Sequence, residues 1–234
     1  MDNHKLNAHL VNQIERNGNF FWLNVRFNIV SSIISKYKLN NLLDVGAGSG
    51  KLGKDIKKNN SKFEYYFDEP DIDANKQLIK EFGQKYEVTK NNIKFESITL
   101  LDVLEHVENP NKLLEDCFFK LQKSGILIIS VPAYQFLWSN WDVLLGHYKR
   151  YTVKSMSELL DDFNVEILEK NYLFPELVLP AFLRKISKTK SEKFPKIPNF
   201  LNQVLYFFSL AISKFRKVIP FGLSVFFVVK KLGD

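Results

Sequence analysis

At 234 residues the chain is long enough for one large α/β domain, or for one domain with an appendage, and an apolar fraction of 45% supplies a core of ordinary size. A single cysteine, Cys117, excludes an internal disulfide framework and points to no redox or zinc chemistry, so no metal is expected. The opening residues, MDNHKLNAHL, lack the apolar centre of a signal peptide, and no apolar run reaches the roughly 18 residues of a membrane-spanning helix, so cytoplasmic residence is expected.

The net charge of +7 is unevenly placed. From Arg184 to Lys231 eleven Lys or Arg stand against one acid, Glu192, and the remainder of the chain is net acidic. That asymmetry bears on partners rather than on fold.

From the N-terminal side, Phe20, Leu23, Phe27, Val30 and Ile34 recur at helical spacing. They predict a helix from Phe20 to about Lys38, capped by Asn19, with Arg26 at the edge of its apolar stripe. Asn41 to Gly53 then reads NLLDVGAGSGKLG. Leu42, Leu43 and Val45 suit a short buried strand, and Gly46, Gly48 and Gly50 at alternate positions break it into a tight loop ahead of a helix. Such a loop lets backbone N–H groups approach a polar ligand at the positive end of that helix. A P-loop does not fit, because its first Gly falls at Val45 and its hydroxyl position is Leu52. A dinucleotide pattern through Gly48, Gly50 and Gly53 remains an alternative, with an NAD(P)-dependent oxidoreductase as its consequence, although it leaves Asp44 and Gly46 unexplained.

Lys51 to about Asn60 reads as the first crossover helix and FEYYFDEP as the second strand. In a doubly wound sheet an acid at the end of that strand, about 20 residues beyond the loop, can accept hydrogen bonds from a ribose. Glu69 is the expected acid, with Asp68 and Asp71 as neighbours. Asp71 or Asp73 caps a helix to about Phe82, and Lys85 to Thr89 suits a short third strand. FESITLLDVLEHVENP, from Phe95, gives a buried fourth strand ending near Leu101. The turn from Asp102 to His106 falls where the strand order reverses, the usual ligand position in open α/β sheets. Glu105 and His106 there either line the crevice or face water. Asn111 to Leu121 forms a further helix, ILIISVP a fifth strand, and an aromatic-rich connection runs to Thr152, which caps a helix from Val153 to Phe163. NVEILEKNYLF gives a sixth strand and IPFGLSVFFVVKK the last.

Two of these stretches, Asp44-x-Gly46-x-Gly48-x-Gly50 and DVLEHVENP, resemble motifs of class I S-adenosylmethionine-dependent methyltransferases. FFWLNVRF resembles the aromatic-Arg helix that precedes the first motif in a bacterial subgroup of that family. A third stretch is similar to the segment Pro-Ala…Leu-Trp-Ser…Asp…Gly-His-x-Arg-Arg-Tyr-Thr of a subgroup found among surface-polysaccharide and lipid-modification enzymes. Pro132, Ala133, Leu137, Trp138, Ser139, Asp142, Gly146, His147, Arg150, Tyr151 and Thr152 carry that match, with Lys149 in place of the first Arg. The resemblance implies a three-layer α/β/α sandwich on a seven-stranded, mostly parallel sheet of Rossmann-like type whose last strand runs antiparallel. It also implies S-adenosylmethionine as cofactor, methyl transfer to an O or N nucleophile, and a small-molecule, sugar or lipid-linked acceptor. The cofactor contacts it implies are Arg26, Asp44, Gly46, Ala47, Gly48, Gly50, Glu69, Leu101, Asp102 and His106. Asn91 and Asn92 stand where relatives contact the adenine with an acid, and Phe67-Asp68 departs from the small apolar pair usual before the ribose acid. His147 is the leading candidate for the base, since a neutral imidazole accepts a proton near pH 7, and a structural hydrogen-bonding role is the alternative. A non-catalytic module on the same fold is a further alternative.

The expected organisation is an N-terminal helical cap over residues 1–38, a cofactor-binding core over 39–174, a basic helical insertion over 175–217 and the last core strand over 218–234. On a helical wheel Phe200, Leu201, Val204, Leu205, Phe207, Phe208, Ala211, Ile212 and Phe215 share one arc of the insertion, with Asn202, Gln203, Ser209, Ser213, Lys214, Arg216 and Lys217 on the other. Either this helix caps its own domain through the apolar arc, or residues 198–217 meet an anionic membrane, making the protein peripheral at the inner membrane face. Nucleic acid is not the expected partner, because the aromatics are gathered on one face rather than interleaved with Lys and Arg.

Overall fold

The computed structural model describes residues 20–88, 93–187 and 197–233. In chain order the elements are α1 (Phe21–Tyr37), β1 (Asn41–Val45), α2 (Lys51–Asn59), β2 (Glu64–Asp68), α3 (Ile72–Phe82), β3 (Phe95–Leu101), α4 (Pro110–Lys120), β4 (Leu121–Pro132), α5 (Asn140–Leu145), α6 (Val153–Leu160), β5 (Val165–Leu173), α7 (Val178–Ile186), α8 (Asn199–Ser213) and β6 (Ser224–Lys231). The sheet has six strands in the order β2-β1-β3-β4-β6-β5. β2, β1, β3 and β4 pair in parallel, and β6 runs antiparallel to both β4 and β5, as expected of the last strand.

Alternation of side chains along the strands divides the core into two faces. Leu43, Ile98, Leu100, Leu127, Ile129 and Phe227 point to the side covered by α4 and α6, where Leu114, Cys117, Phe118, Met156 and Leu160 meet them. Leu42, Ile126, Ile128, Phe226 and Val228 point to the other side, against Val25, Ile29 and Ile33 of α1, Leu52 and Ile56 of α2 and Leu78 of α3. Three layers result. Cys117 lies in the first face, where burial pushes its thiol up to about 12.

α1 starts and stops within one residue of the expected bounds, and Lys38 ends it in a left-handed conformation with its N–H on the carbonyls of Ile34 and Ser35. The Asn19 cap lies outside the described residues. Asp71 caps α3 by accepting from the N–H groups of Asp73 and Ala74, and Thr152 caps α6 by accepting from Ser155.

Among the described residues, which reach Val88, the expected third strand does not form, and Thr89 lies outside them. Gly83, at φ +100°, ends α3, and Gln84–Tyr86 makes one 3-10 turn, leaving a single parallel bridge between Phe67 and Glu87. Tyr86 instead sets its ring edge-on to Tyr66 at 5.3 Å, so the segment is held by a side chain rather than by a ladder. The sheet therefore has six strands in place of the expected seven, and Asn91-Asn92 lies outside the described residues.

The insertion is oriented against its hydrophobic pattern. Ser209 and Ser213 are the buried residues of α8, whereas Phe200, Phe207, Phe208 and Phe215 are 78%, 67%, 54% and 62% exposed. The inward arc is held by polar contacts. Asn202 Oδ1 accepts from the N–H of Phe21 at 2.9 Å, Ser209 donates to Glu176, and Arg216 clasps Glu169 of β5 at 2.6 and 3.2 Å. The helix packs on its own domain through Asn202, Ser209 and Ser213 together with half-buried Tyr206 and Leu210, not through the phenylalanine arc, and Arg216 is committed to an internal ion pair. α7 behaves alike, with Leu179, Phe182, Leu183 and Ile186 exposed. Among the described residues no helix is long and apolar enough to cross a membrane.

Asp44, in the middle of this fold, yields a stability prediction. Its carboxylate accepts from Tyr65 Oη and Thr99 Oγ1, each at 2.7 Å, and burial, outweighing those bonds, raises its pKa from 3.8 to about 6. A carboxyl whose folded pKa exceeds its unfolded value contributes stability that is full below the unfolded pKa and is lost as pH rises through the folded one. Asp44→Asn should therefore gain on the parent by about 2 kcal/mol between roughly pH 4 and pH 7, read from urea unfolding at both. An unchanged difference contradicts the assignment.

Candidate active site

Gly46, Gly48 and Gly50 stand at φ +70°, +56° and +67°, a run of left-handed residues that turns the chain sharply from β1 into α2. The N–H of Gly46 donates to the carbonyl of Asp68 at 2.8 Å, joining the loop to the end of β2. A Cβ on Gly46 would stand 2.7 Å from Val103 Cγ2, so the glycine is needed for close approach to the turn after β3 as well as for its dihedral. Ala47, half-buried, lies between Gly46 and Gly48.

Glu69 reaches across from the end of β2. Its Oε2 accepts from the N–H of Gly48 at 2.7 Å and its Oε1 from the N–H of Asp71 at 2.9 Å. Burial raises its pKa, against the pull of those two amides. The neighbouring acids do other work. Asp68 faces Lys120 at 3.9 Å and Asp71 caps α3. Asp44 sits beneath the loop with both oxygens engaged by Tyr65 and Thr99, which makes it a group that fixes β1 against β2 and β3.

At the neighbouring strand end, half-buried Leu101 packs with the α1 side of the core, and Asp102 takes φ +57°, a strained value for a non-glycine residue. The N–H of Asp102 donates to Ser130 at 2.8 Å, and its carboxylate pairs with Arg26 at 2.6 Å. Arg26 thus projects from α1 over the switch point between β1 and β3, where the sheet order reverses. It is a buried ion-pair partner, not a surface arginine.

Beyond this pair opens a cavity of about 330 Å³. Phe20, Trp22, Leu137, Trp141, Phe174 and Leu177 give it apolar walls, while Asp102, Glu105, His106, His147 and Arg150 supply polar groups. His106 and His147 meet edge to face with ring centroids 4.7 Å apart. The N–H of Tyr148 donates to the carbonyl of Glu105 at 2.7 Å, so the turn after β3 and the segment after α5 are tied together.

Asp142 organises that segment. Fully buried, it accepts from His147 Nδ1 at 2.9 Å, from Arg150 Nε at 2.7 Å and from the N–H of Ser139 at 2.9 Å. Burial alone would raise its pKa, but these bonds and the Arg150 charge outweigh it and hold the group at about 2. An ionised Asp142 can only accept, so the proton of neutral His147 lies on Nδ1 and its lone pair on Nε2. Glu105 does not face water. It has no exposed surface, neither carboxylate oxygen has a hydrogen-bond partner in another of the described residues, and burial pushes its pKa well up. From the sequence, Asp142 stands out only as part of the third motif and Glu105 only as a residue that lines the crevice or faces water, with no chemical role for either. The Ser139-x-x-Asp142 capping pattern was a further signal for the first, and its position beside His106 for the second.

A model of the methyltransferase-domain family matches residues 10–170, and the chain belongs to that family. Among solved structures, it resembles a S-adenosylmethionine-dependent methyltransferase from Clostridium acetobutylicum ATCC 824, with a TM-score of 0.56 at 13% identity over 97% of this chain and 98% of that one. A SAM-dependent methyltransferase from Archaeoglobus fulgidus gives a TM-score of 0.52 at 16% identity, over 88% and 94% of the two chains. The plantazolicin methyltransferase BpumL, in complex with SAH, gives 0.57 at 14% identity, over 97% and 90%. A comparison with curated proteins finds no match.

The protein is a methyltransferase enzyme with S-adenosylmethionine as its cofactor, and the dinucleotide and non-catalytic alternatives fall away. The residues present fit that group. The left-handed glycine loop leaves no side chain at its turns, and a buried Glu69 already aimed at the loop retains lone pairs for a ribose. Glu69→Ala is expected to weaken binding of S-adenosylhomocysteine by about 1.5–3 kcal/mol, the range for losing a hydrogen bond to a charged group. Asp68→Ala should leave it unchanged. Titration calorimetry on both variants checks the pair, and the reverse ranking would move the contact by one residue.

Proposed function

We propose that the enzyme methylates an O or N nucleophile on an amphiphilic acceptor, a lipid-linked or similarly apolar small molecule, drawn from an anionic membrane surface. The observation that carries this reading is the adjacency of two features. The apolar walls of the cavity include Pro180 and Ala181 of α7, and the opposite face of the same helix exposes Leu179, Phe182, Leu183 and Ile186. α8 likewise exposes Phe200, Phe207 and Phe208, and it is bonded to the start of α1, whose neighbour Phe20 also lines the cavity. An acceptor with a hydrocarbon tail could lie along the exposed face with its polar head beside His147. Residues 175–217 act in this reading as the docking element of the core.

Bound S-adenosylmethionine supplies a methyl group on a sulfonium, already activated for in-line displacement. The chain has to hold the acceptor in line and exclude water. Gly46, Ala47, Gly48 and Gly50 cradle the cofactor, Glu69 takes its ribose, and Arg26 beside Asp102 takes the carboxylate of its methionine part, with Leu101 and His106 at the boundary with the acceptor. The apolar walls orient the acceptor, and Nε2 of His147, its lone pair fixed by Asp142, activates the nucleophile. His147→Ala is expected to lower turnover by about 10²–10⁴-fold and to leave S-adenosylhomocysteine affinity nearly unchanged. Steady-state rates beside calorimetry read both, and undiminished turnover would make His147 structural.

Charge supports the choice of an anionic membrane as the surface. Lys214 and Lys217 flank the exposed apolar residues, a composition suited to anionic headgroups over acyl chains. The protein should sediment with phosphatidylglycerol-containing vesicles and lose them as salt rises. Phe207→Glu and Phe208→Glu should abolish that binding without lowering the melting temperature, since both rings are more than half exposed. No sedimentation at low salt overturns the membrane reading. Concentration-dependent dimerisation that Phe207→Glu abolishes would assign the face to a second copy of the chain.

A further inference from the structure

Around the cavity Arg26 pairs with Asp102, Arg150 pairs with Asp142 and Arg184 lies over the Trp141 ring, while Glu105 is fully buried and neither of its oxygens has a hydrogen-bond partner in another of the described residues. A buried carboxylate is stabilised by a partner or by a metal. Its neighbours are two imidazoles. One ligand atom from each of Glu105, His106 and His147 lies within 4.8 Å of the others. Ligands about 2.1 Å from one ion stand about 3–4.2 Å apart, so side-chain rotations moving these atoms by about an ångström would close the cluster.

We propose that Glu105, His106 and His147 form a binding site for one first-row divalent transition-metal ion, such as Mn²⁺, Co²⁺ or Zn²⁺, on the floor of the acceptor cavity. Two imidazoles and a carboxylate are a donor set these ions favour, and three protein ligands leave positions open toward the cavity. The support behind the ligands is already built. Asp142 holds Nδ1 of His147, which directs Nε2 outward as a carboxylate behind a metal-bound histidine does. Tyr148 N–H on the Glu105 carbonyl and Tyr151 Oη on the Leu104 carbonyl, at 2.7 and 3.1 Å, fix the two ligand-bearing segments against each other.

The use of this ion rests on the methyltransferase reading and narrows it to a hydroxyl-bearing acceptor. An acceptor hydroxyl in an open position is made more acidic by the cation and gives its proton to solvent as it binds, before the bound acceptor shuts water out. Its oxygen then attacks the methyl carbon, and the C–O bond forms as the S–C bond breaks with the electron pair left on sulfur. His147 activates the nucleophile through the metal rather than by taking the proton itself.

The test uses the full chain, free of affinity tags and stripped with EDTA, titrated with Co²⁺ while the visible ligand-field bands and paramagnetically shifted imidazole N–H resonances are recorded. One equivalent is expected to bind, with two histidine signals shifted in the unmodified protein. Glu105→Gln and His147→Asn should each weaken binding by about 10–100-fold or more while retaining S-adenosylhomocysteine affinity. His4→Ala with His9→Ala should leave it unchanged, which removes the other histidines from account. No saturable spectrum at millimolar Co²⁺, or a spectrum indifferent to Glu105→Gln, overturns the site. Full methyl transfer in EDTA would remove the metal and keep the methyltransferase reading, whereas metal binding without S-adenosylhomocysteine binding would do the opposite.

Discussion

Three left-handed residues in a row of five set the geometry on which the site depends. Gly46, Gly48 and Gly50 adopt dihedrals that side-chain-bearing residues avoid, and the turn they make ends β1 and starts α2 at the carboxyl edge of the sheet. Because β2 and β3 flank β1 in parallel, their own ends arrive at the same edge. Glu69 and Asp102 are carried there by register alone. The Glu69 bond to Gly48 and the contact of Gly46 with Val103 then lock the three strand ends together. A bulkier loop would separate them.

A second constraint acts on the acceptor side, where the fold supplies no strand to position the groups. Asp142, buried in a short helix, draws His147, Arg150 and Ser139 onto one carboxylate. An aromatic-rich connection thereby becomes a wall of defined shape. The strained backbone of Asp102 lies between these two constraints, held by the ion pair with Arg26 and the bond to Ser130. Strain maintained by surrounding contacts is common where a ligand must be met in one geometry.

Most of the fold was legible because its signals are local. Apolar periodicity located α1, the glycines located the loop, and Thr152 ahead of a periodic run located α6. The spacing from the loop to Glu69 was legible because parallel register fixes it. What failed was non-local. Lys85 to Thr89 has strand-like letters, but a glycine and the Tyr66 ring decide the conformation of its first residues, Lys85 and Tyr86. A helical wheel groups the phenylalanines of α8 on one arc yet cannot say which arc meets protein. That choice depends on Glu169, Glu176 and the start of α1, each distant in sequence. The same limit hid the roles of Asp142 and Glu105, whose chemistry arises from burial and from partners that no spacing rule connects.

The central claim is that the strand-end cradle and the cavity form one site, with cofactor in the first and acceptor in the second. A crystal structure with S-adenosylhomocysteine tests it most directly. The account predicts ribose hydroxyls within hydrogen-bond distance of Glu69, the amino-acid carboxylate beside Arg26, and the sulfur facing the cavity that holds His147. A ligand seated elsewhere, or a sulfur turned away from His147 with Glu69 making no contact to the ribose, would contradict it.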